Sequence, residues 1–551
     1  MTGSYALRVI KHASLVAFCL VWASLGIFGH DPWKPDEAYT FGLVYEIAQS
    51  GQWLVPTLAG EPFMEKPPLF ILTAAGFAQL TRGLLPLHDG ARLATLFYVL
   101  LTLLFIGRTG RELNGKGFSW LPVLFLIGAV GMAEHAHRLL IDNALMAGVA
   151  MALYGMALAP RRPYWAGFWL GIGAGIAFMA KGLLGPGLIA ITALLLPILP
   201  HWRDASYLRV LLLAMVAASP LVVIWPLMLH QRHPELFTEW LITQNVGRFL
   251  GTVRLGPQSD HLFYLKNIAW VAWPAFPLAA WTLWTAVRGY MGGFNRPGIQ
   301  LPLVFFTVAI AVLTAASDAR MVYMLPLLLP LALIASASID VLPRGASSAL
   351  DWFGILTFGL GAIVAWLAWL SFLIHWPMPL YEYLLRFRPA IETLPFEWIP
   401  FSLAIFFTLV WFALVRPARQ SQRRSVLNWA AGMALLWGLY STILLSIEDS
   451  GRSYRAMVFD LQKALPARYD CIASRGLGEP QRALLDYFIG VKTQRVEVKA
   501  NANCTLLLDQ GSRSDESPGA PSGRSGDNWK IIWEGNRPGD LSERFRLYQR
   551  T

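Results

Sequence analysis

Residues 35–69 read PDEAYTFGLVYEIAQSGQWLVPTLAGEPFMEKPPL. This stretch holds Asp36-Glu37 after a proline and Glu65-Lys66 before a proline pair, and apolar runs flank it on both sides. On its N-terminal side, Arg8 and Lys11 precede an apolar run to Phe28. No small-residue cleavage site follows, so this run reads as an anchor rather than a removed signal peptide. On its C-terminal side, apolar runs long enough to cross a bilayer recur over 92–107, 117–133, 143–159, 164–180, 184–200, 207–229, 263–287, 299–316, 321–342, 350–374, 399–415 and 426–446. With the first, these make about thirteen spans.

Composition agrees. Of 551 residues, 55% are hydrophobic and 14% charged, against roughly a quarter charged in a soluble protein. A disordered chain, a secreted disulfide scaffold and an ordinary cytosolic enzyme are excluded. The net charge of +11 would suggest nucleic acid in a soluble protein. Here the basic residues fall in alternate loops: Arg108, Arg111 and Lys116; Arg161 and Arg162; Arg203 and Arg209; Arg288 and Arg296; Arg344; Arg416, Arg419, Arg423 and Arg424. With a cytoplasmic N-terminus, all of these face inward, as the positive-inside rule requires. The charge is largely topological, and no nucleic-acid partner is expected.

Residues 69–86 are apolar enough to span, but counting them would turn every later basic loop outward. They are expected to lie on or dip into the outer interface, within an external first loop over 30–90. After residue 446 the chain turns polar. Helices are expected at 453–465 and 479–489, and strands at 469–474, 492–498, 504–509, 529–534 and 544–549. Residues 511–528 read as a Ser/Gly/Pro loop. The expected architecture is an all-α polytopic domain over 1–446 with a small outer α/β domain over 447–551. Cys471 and Cys504 suit a disulfide in an oxidising compartment, or two thiols equally well.

Charged and polar residues gather at the outer ends of spans. Asp36 and Glu37 begin an amphipathic run, where helix capping is the plain alternative. Glu65 and Lys66 follow in the same loop. Asp142 stands at the start of a span, where a carboxylate is costly unless it caps the helix or faces water or a partner. Lys181 ends a span and could snorkel to the interface. Asn245 and Arg248 share a helical face, and Arg320 and Tyr323 stand at another outer end. His135 and His137 form an HxH pattern, which is a weak metal signal. Carboxylates and cations on one membrane face suit a phosphate-bearing lipid substrate.

At these residues the chain resembles a family. PDEAY, SGQWLVP and EKPP occur in the order and spacing found in the first external loop of bacterial protein O-mannosyltransferase-like GT-C glycosyltransferases. The aminoarabinose transferases that modify lipid A are the most similar among them. HRLLIDNAL, FMAKGLLGP, LITQNVGRFLG and ARMVYMLPLLLPLAL match in order, and the resemblance covers about 10–340. It implies an inverting transfer of a sugar from an undecaprenyl phosphate donor to a lipid or glycan acceptor, at the periplasmic face of the inner membrane. The C-terminal domain would be periplasmic and the protein a monomer among membrane lipids. Asp36, Glu37 and Asp142 would be the catalytic carboxylates. Glu65, Lys66, Lys181, Asn245, Arg248, Arg320 and Tyr323 would bind substrate. No cofactor is required; a divalent ion is compatible with the carboxylates, but no ligand motif demands it.

Two positions depart from the family pattern. Gln244-Asn245 stands where lipid A enzymes tend to have Glu-His, and Ala319 where they often carry Lys. Another sugar or acceptor is therefore an open alternative. Two other classes fit less well. A transporter should show related halves and charges at the midplane; a scaffold leaves the first-loop motif unexplained.

Overall fold

The structure is a computed structural model that describes residues 2–253, 260, 262–386, 394–415, 421–499, 503–512 and 529–550. Arg416, Arg419 and most of the expected 511–528 loop lie outside the described residues. The chain is a multi-pass, mostly helical membrane protein with a small C-terminal sheet domain.

Among the described residues, six helical stretches are long and apolar enough to cross a membrane by length and composition, beginning at Leu87, Ala205, Pro297, Arg344, Trp398 and Gln422. Other expected spans are shorter than the roughly 20 residues a crossing needs. Asp142–Leu158 has 17 residues and Leu184–Leu195 has 12. Two more are broken. The run 117–133 divides into Leu121–Ile127 and Val130–His135, because Ala129 is extended and the Gly128 carbonyl accepts from Trp429 Nε1 at 2.9 Å. The run 263–287 divides at Ala272–Pro274, where proline ends the first helix. Thirteen uninterrupted crossings are thus not what length and composition support.

Helix Leu69–Leu80 has 12 residues, or about 18 Å at 1.5 Å per residue. That is shorter than the roughly 20 residues a crossing needs. Glycines set the tightest packing of the helical domain. A Cβ on Gly148 would meet the Gly173 carbonyl oxygen at 2.6 Å, and one on Gly155 would meet Leu170 N at 2.5 Å. Helices Asp142–Leu158 and Pro163–Lys181 therefore touch backbone to backbone, as small residues permit in a bilayer.

The expected boundary at 446 falls inside a continuous helical run from Gln422 to Arg452. Composition turns polar at Glu448 while the helix continues, because its last turns pack against the first loop. Beyond it, helices Arg455–Ala464 and Glu479–Ile489 cover one face of a five-stranded sheet. The strand order is Gln494–Arg495, Ile472–Arg475, Leu506–Ser512, Asp540–Arg550 and Trp529–Arg537. The first three are parallel and the last two antiparallel to their neighbours. The expected strand at 492–498 shrinks to two residues.

Cys471 and Cys504 are disulfide-bonded. The bridge closes a sequence separation of 33, for which chain entropy alone gives about 4 kcal/mol. Replacing both cysteines by serine is expected to destabilise the C-terminal domain by about 2–4 kcal/mol. Limited proteolysis of the otherwise intact protein reads this as faster cleavage after residue 452.

This domain grips the first loop. Gly42 on helix Asp36–Ser50 abuts Ala483, where a Cβ would come within 2.5 Å of the alanine's. Lys492 Nζ donates to Glu46 Oε1 at 2.6 Å, Arg482 Nη1 to Glu61 Oε2 at 2.8 Å, and Arg455 Nε to Asp31 Oδ2 at 2.9 Å.

Candidate functional site

Helix Asp36–Ser50 is preceded by Pro35 in helical conformation, with no side-chain cap. Asp36 is therefore not a capping residue. Among the described residues its carboxylate has no hydrogen-bond or ion-pair partner, yet its charge acts on Tyr39, Lys181 and Arg320. An available carboxylate beside cations is a chemical resource rather than a structural tie.

Glu37 is the opposite case and corrects the expectation that both acids serve the site. It is 3% exposed. Its Oε1 accepts from Arg92 Nε at 2.8 Å and Leu139 N at 3.2 Å, and its Oε2 accepts from Trp33 N at 3.2 Å. Burial pushes the Glu37 carboxyl up, but Arg92 and the hydrogen bonds outweigh it and hold it at about 2. The Arg92 guanidinium, wholly buried, also reaches Asp89 Oδ1 at 2.7 Å and the carbonyls of His30 and Asp31. Glu37 and Arg92 pin the loop to the first long helix.

The remaining residues converge. Glu65 Oε1 accepts from Arg248 Nη1 at 3.0 Å, and Arg248 Nη2 donates to Asp318 Oδ2 at 3.2 Å. Arg320 Nε stands 3.6 Å from the same Asp318 oxygen. Lys66 Nζ is 3.5 Å from Glu65 Oε2 and donates to Tyr39 Oη at 3.4 Å. Burial pushes Glu65 up, but Lys66 and Arg248 draw it below the usual carboxylate range. Burial would lower Lys66, yet Tyr39 and Glu65 outweigh it, and its ammonium is held above its ordinary range. At the C-terminal end of its helix, Lys181 pairs with Asp142 and lies 4.2 Å above the Tyr323 ring. It is buried, so it does not snorkel, and Asp142 likewise makes no cap.

These groups open onto a cavity of about 410 Å³. Glu65, Lys66, Lys181, Arg248, Asp318 and Tyr323 form its charged end, and Leu184, Leu188, Ile191, Val312 and Leu313 its apolar walls. Asp36, Asp142 and Arg320 are not in its wall; the last two reach it through Lys181 and Asp318. Asp318 was missed in the sequence. An acid two residues before Arg320, at the end of an apolar run, was the available signal.

Residues Glu239–Gly247 form a π-helix, a geometry often found at functional sites. It presents Asn245, whose Oδ1 accepts from Leu183 N at 3.0 Å while its Nδ2 donates to the Trp240 carbonyl at 2.8 Å. Asn245 is thus spent on the turn after Lys181. That turn holds Gly182 at φ 64°, ψ −135°, a region open essentially to glycine alone. A Cβ there would fall 2.1 Å from Asn245 Oδ1. Gly182→Ala is expected to cost about 1–3 kcal/mol and to displace Lys181, read as a lower unfolding temperature.

Among the described residues no three His, Cys, Asp or Glu side chains gather as metal ligands. His135 Nδ1 lies 2.9 Å from the Gly131 carbonyl oxygen, and His137 Nε2 lies 3.0 Å from that of Trp22. These rings serve the fold.

No family model matches the chain. By sequence it is similar to the undecaprenyl phosphate-alpha-4-amino-4-deoxy-L-arabinose arabinosyl transferase of Pseudomonas savastanoi pv. phaseolicola, with 28% identity over 63% of this chain and 64% of that protein. It is also 28% identical to a transferase of the same name, numbered 2, from Pseudomonas fluorescens, over 64% of this chain and 60% of that one. The chain aligns with less than two thirds of the length of these two relatives. The crystal structure of ArnT from Cupriavidus metallidurans bound to undecaprenyl phosphate superposes with a TM-score of 0.71, at 18% identity and 98% coverage of both chains. The fold is ArnT-like, and the resemblance first seen in residues 35–69 is borne out.

Proposed function

We propose that this chain is a membrane glycosyltransferase that takes a sugar from an undecaprenyl phosphate donor and passes it to an acceptor at the outer face of the bacterial inner membrane. The observation that carries the reading is the cavity with a cationic end and apolar walls. One end suits a phosphate and the other a polyprenyl chain. The similar transferases and the ArnT fold support the same reading.

Lys66 and Arg248 hold the lipid phosphate, which is the leaving group, and Arg320 adds its charge from behind Asp318. Their positive charge is already in place when negative charge develops on it, so no reorganisation is needed at the moment of transfer. Glu65 and Asp318 fix these cations in position. Asp36, whose charge acts on Lys181 and Arg320, is assigned to the acceptor's attack. For a hydroxyl acceptor it takes the proton. For an already ionised phosphate acceptor, such as that of lipid A, it steadies positive charge on the sugar. Attack opposite the leaving phosphate inverts the anomeric carbon. Asp142 sets the position of Lys181, and Glu37 that of the loop.

The sugar is expected to be aminoarabinose and the acceptor lipid A. Mass spectrometry of lipid A, other envelope glycans and periplasmic proteins from a deletion strain tests this. Loss of the sugar from lipid A supports the assignment. Loss from another glycan or protein moves the acceptor, and no change in any of them removes the enzyme reading.

A further inference from the structure

Helix Asp36–Ser50 of the first loop and helix Glu479–Ile489 of the C-terminal domain pack together. Gly42 abuts Ala483, and about one turn farther on the Tyr45 and Tyr487 ring centroids lie 5.3 Å apart. The two helices therefore advance in the same direction. One turn back from the Gly42–Ala483 contact stand Tyr39 on the first helix and Glu479 on the second. Tyr39 accepts from Lys66 at 3.4 Å. Glu479 thus opens its helix at the end toward the Glu65-Lys66 pair, and the charges of both act on it. Arg482, one turn later and 4% exposed, locks this end to the loop through Glu61.

The carboxylates at the site are of two kinds. Glu65 is tied to Arg248 and Lys66, Asp318 to Arg248 and Arg320, and Asp142 to Lys181. Asp36 and Glu479 are not tied: among the described residues neither has a hydrogen-bond or ion-pair partner. Glu479 is exposed on one side. On the other, the seam between loop and domain partly desolvates its carboxyl, and this, with the charge of Glu65, raises it above the ordinary carboxylate range. A cation placed against it would relieve both costs.

We propose that Glu479 binds the amino group of the donor sugar and so selects an amino sugar over its hydroxyl counterpart. The proposal rests on the transferase reading and adds the residue that sets its donor. An ammonium brought to this site meets Lys66, Lys181, Arg248 and Arg320, which suit a phosphate and repel a second cation. It needs a carboxylate that no cation of the chain has already neutralised. Asp36 is assigned to the anomeric carbon, from which the phosphate leaves. A 4-amino group lies across the sugar ring from that carbon, so one carboxylate does not serve both. Glu479 supplies the second. It stands on a separate helix, outside the cavity wall that takes the lipid phosphate and chain. The C-terminal domain then completes the donor site as well as bracing the loop.

The test uses the full chain in nanodiscs and three probes: a polyprenyl phosphate, its 4-amino-pentosyl form and the matching 4-hydroxy-pentosyl form. Tryptophan fluorescence reads the affinity of each. Glu479→Gln should weaken the amino form roughly tenfold or more, the size of one charge-assisted hydrogen bond. The hydroxy form and the bare phosphate should bind as in the parent, and the unfolding temperature should not move. Weakening of all three probes alike, or of none, overturns the proposal. In transfer assays the KM for the amino donor should rise by the same factor with kcat within a few-fold; a fall in kcat at constant KM counts against it. The two ideas fail separately. Selective weakening of the amino form in a chain that transfers no sugar sinks the enzyme reading and leaves the site. Transfer by the parent with an amino donor indifferent to Glu479→Gln does the reverse.

Discussion

On the proposed function, Asp36→Asn is expected to lower sugar transfer by about 10²–10⁴-fold while protein level, thermal stability and polyprenyl phosphate binding stay as in the parent. The substitution keeps the size of the side chain and removes its charge. Because the carboxylate caps no helix and has no partner among the described residues, the fold does not depend on it. Transfer does, whether the group acts as base or as a counter-charge to the sugar. Radiolabelled donor and purified acceptor in nanodiscs give the rate, and titration with polyprenyl phosphate gives the affinity. Activity within a few-fold of the parent would remove Asp36 from the mechanism. A loss of donor binding would instead make it a binding group.

The adjacent residue is expected to behave in the opposite way. Glu37→Ala removes one of the two carboxylates paired with the Arg92 guanidinium, which has no exposed surface and keeps Asp89 as its remaining ion-pair partner. Removing one partner of a buried ion pair costs about 3–5 kcal/mol, and the loss should appear as a lower unfolding temperature with any remaining folded protein still able to bind donor. The same pair makes stability depend on pH. The folded carboxyl sits at about 2 against an ordinary 4.5. The stabilisation is therefore complete above about 4.5 and is lost as pH falls through about 2. Unfolding midpoints measured between those limits should fall in the parent and stay flatter in Glu37→Ala. No difference in slope would mean that another group governs the acid limb.

Much of the membrane domain was legible because a bilayer imposes a simple rule on composition. Runs of apolar residues and alternate basic loops follow from it, and helices appear at each expected place. Breaks within helices were not legible. Gly128 and Pro274 interrupt apolar runs at points that hydropathy averages over. The expected boundary at 446 falls inside a helix for a related reason, since Leu445–Arg452 keeps its backbone bonding after its side chains turn polar. In the site, residue types were readable but their partners were not. Lys181 and Asp142 are 39 residues apart, and Glu65 and Arg248 are 183 apart. Nothing local distinguished Asp36 from Glu37 either. Arg92, read only as the start of a span, takes Glu37 out of the site.

The charged end of the cavity draws one or two residues from each of four separated segments, around Glu65-Lys66, Lys181, Arg248 and Asp318-Tyr323. No single stretch contains half of it. A phosphate seated there touches parts of the chain that otherwise meet only through helix packing. It acts as a reversible staple, absent from any partly assembled form. By mass action such a ligand raises the unfolding free energy of the whole helical domain, by about 2.7 kcal/mol at a hundred times its dissociation constant. The lipid carrier would then be a stabilising part of the protein as well as a substrate.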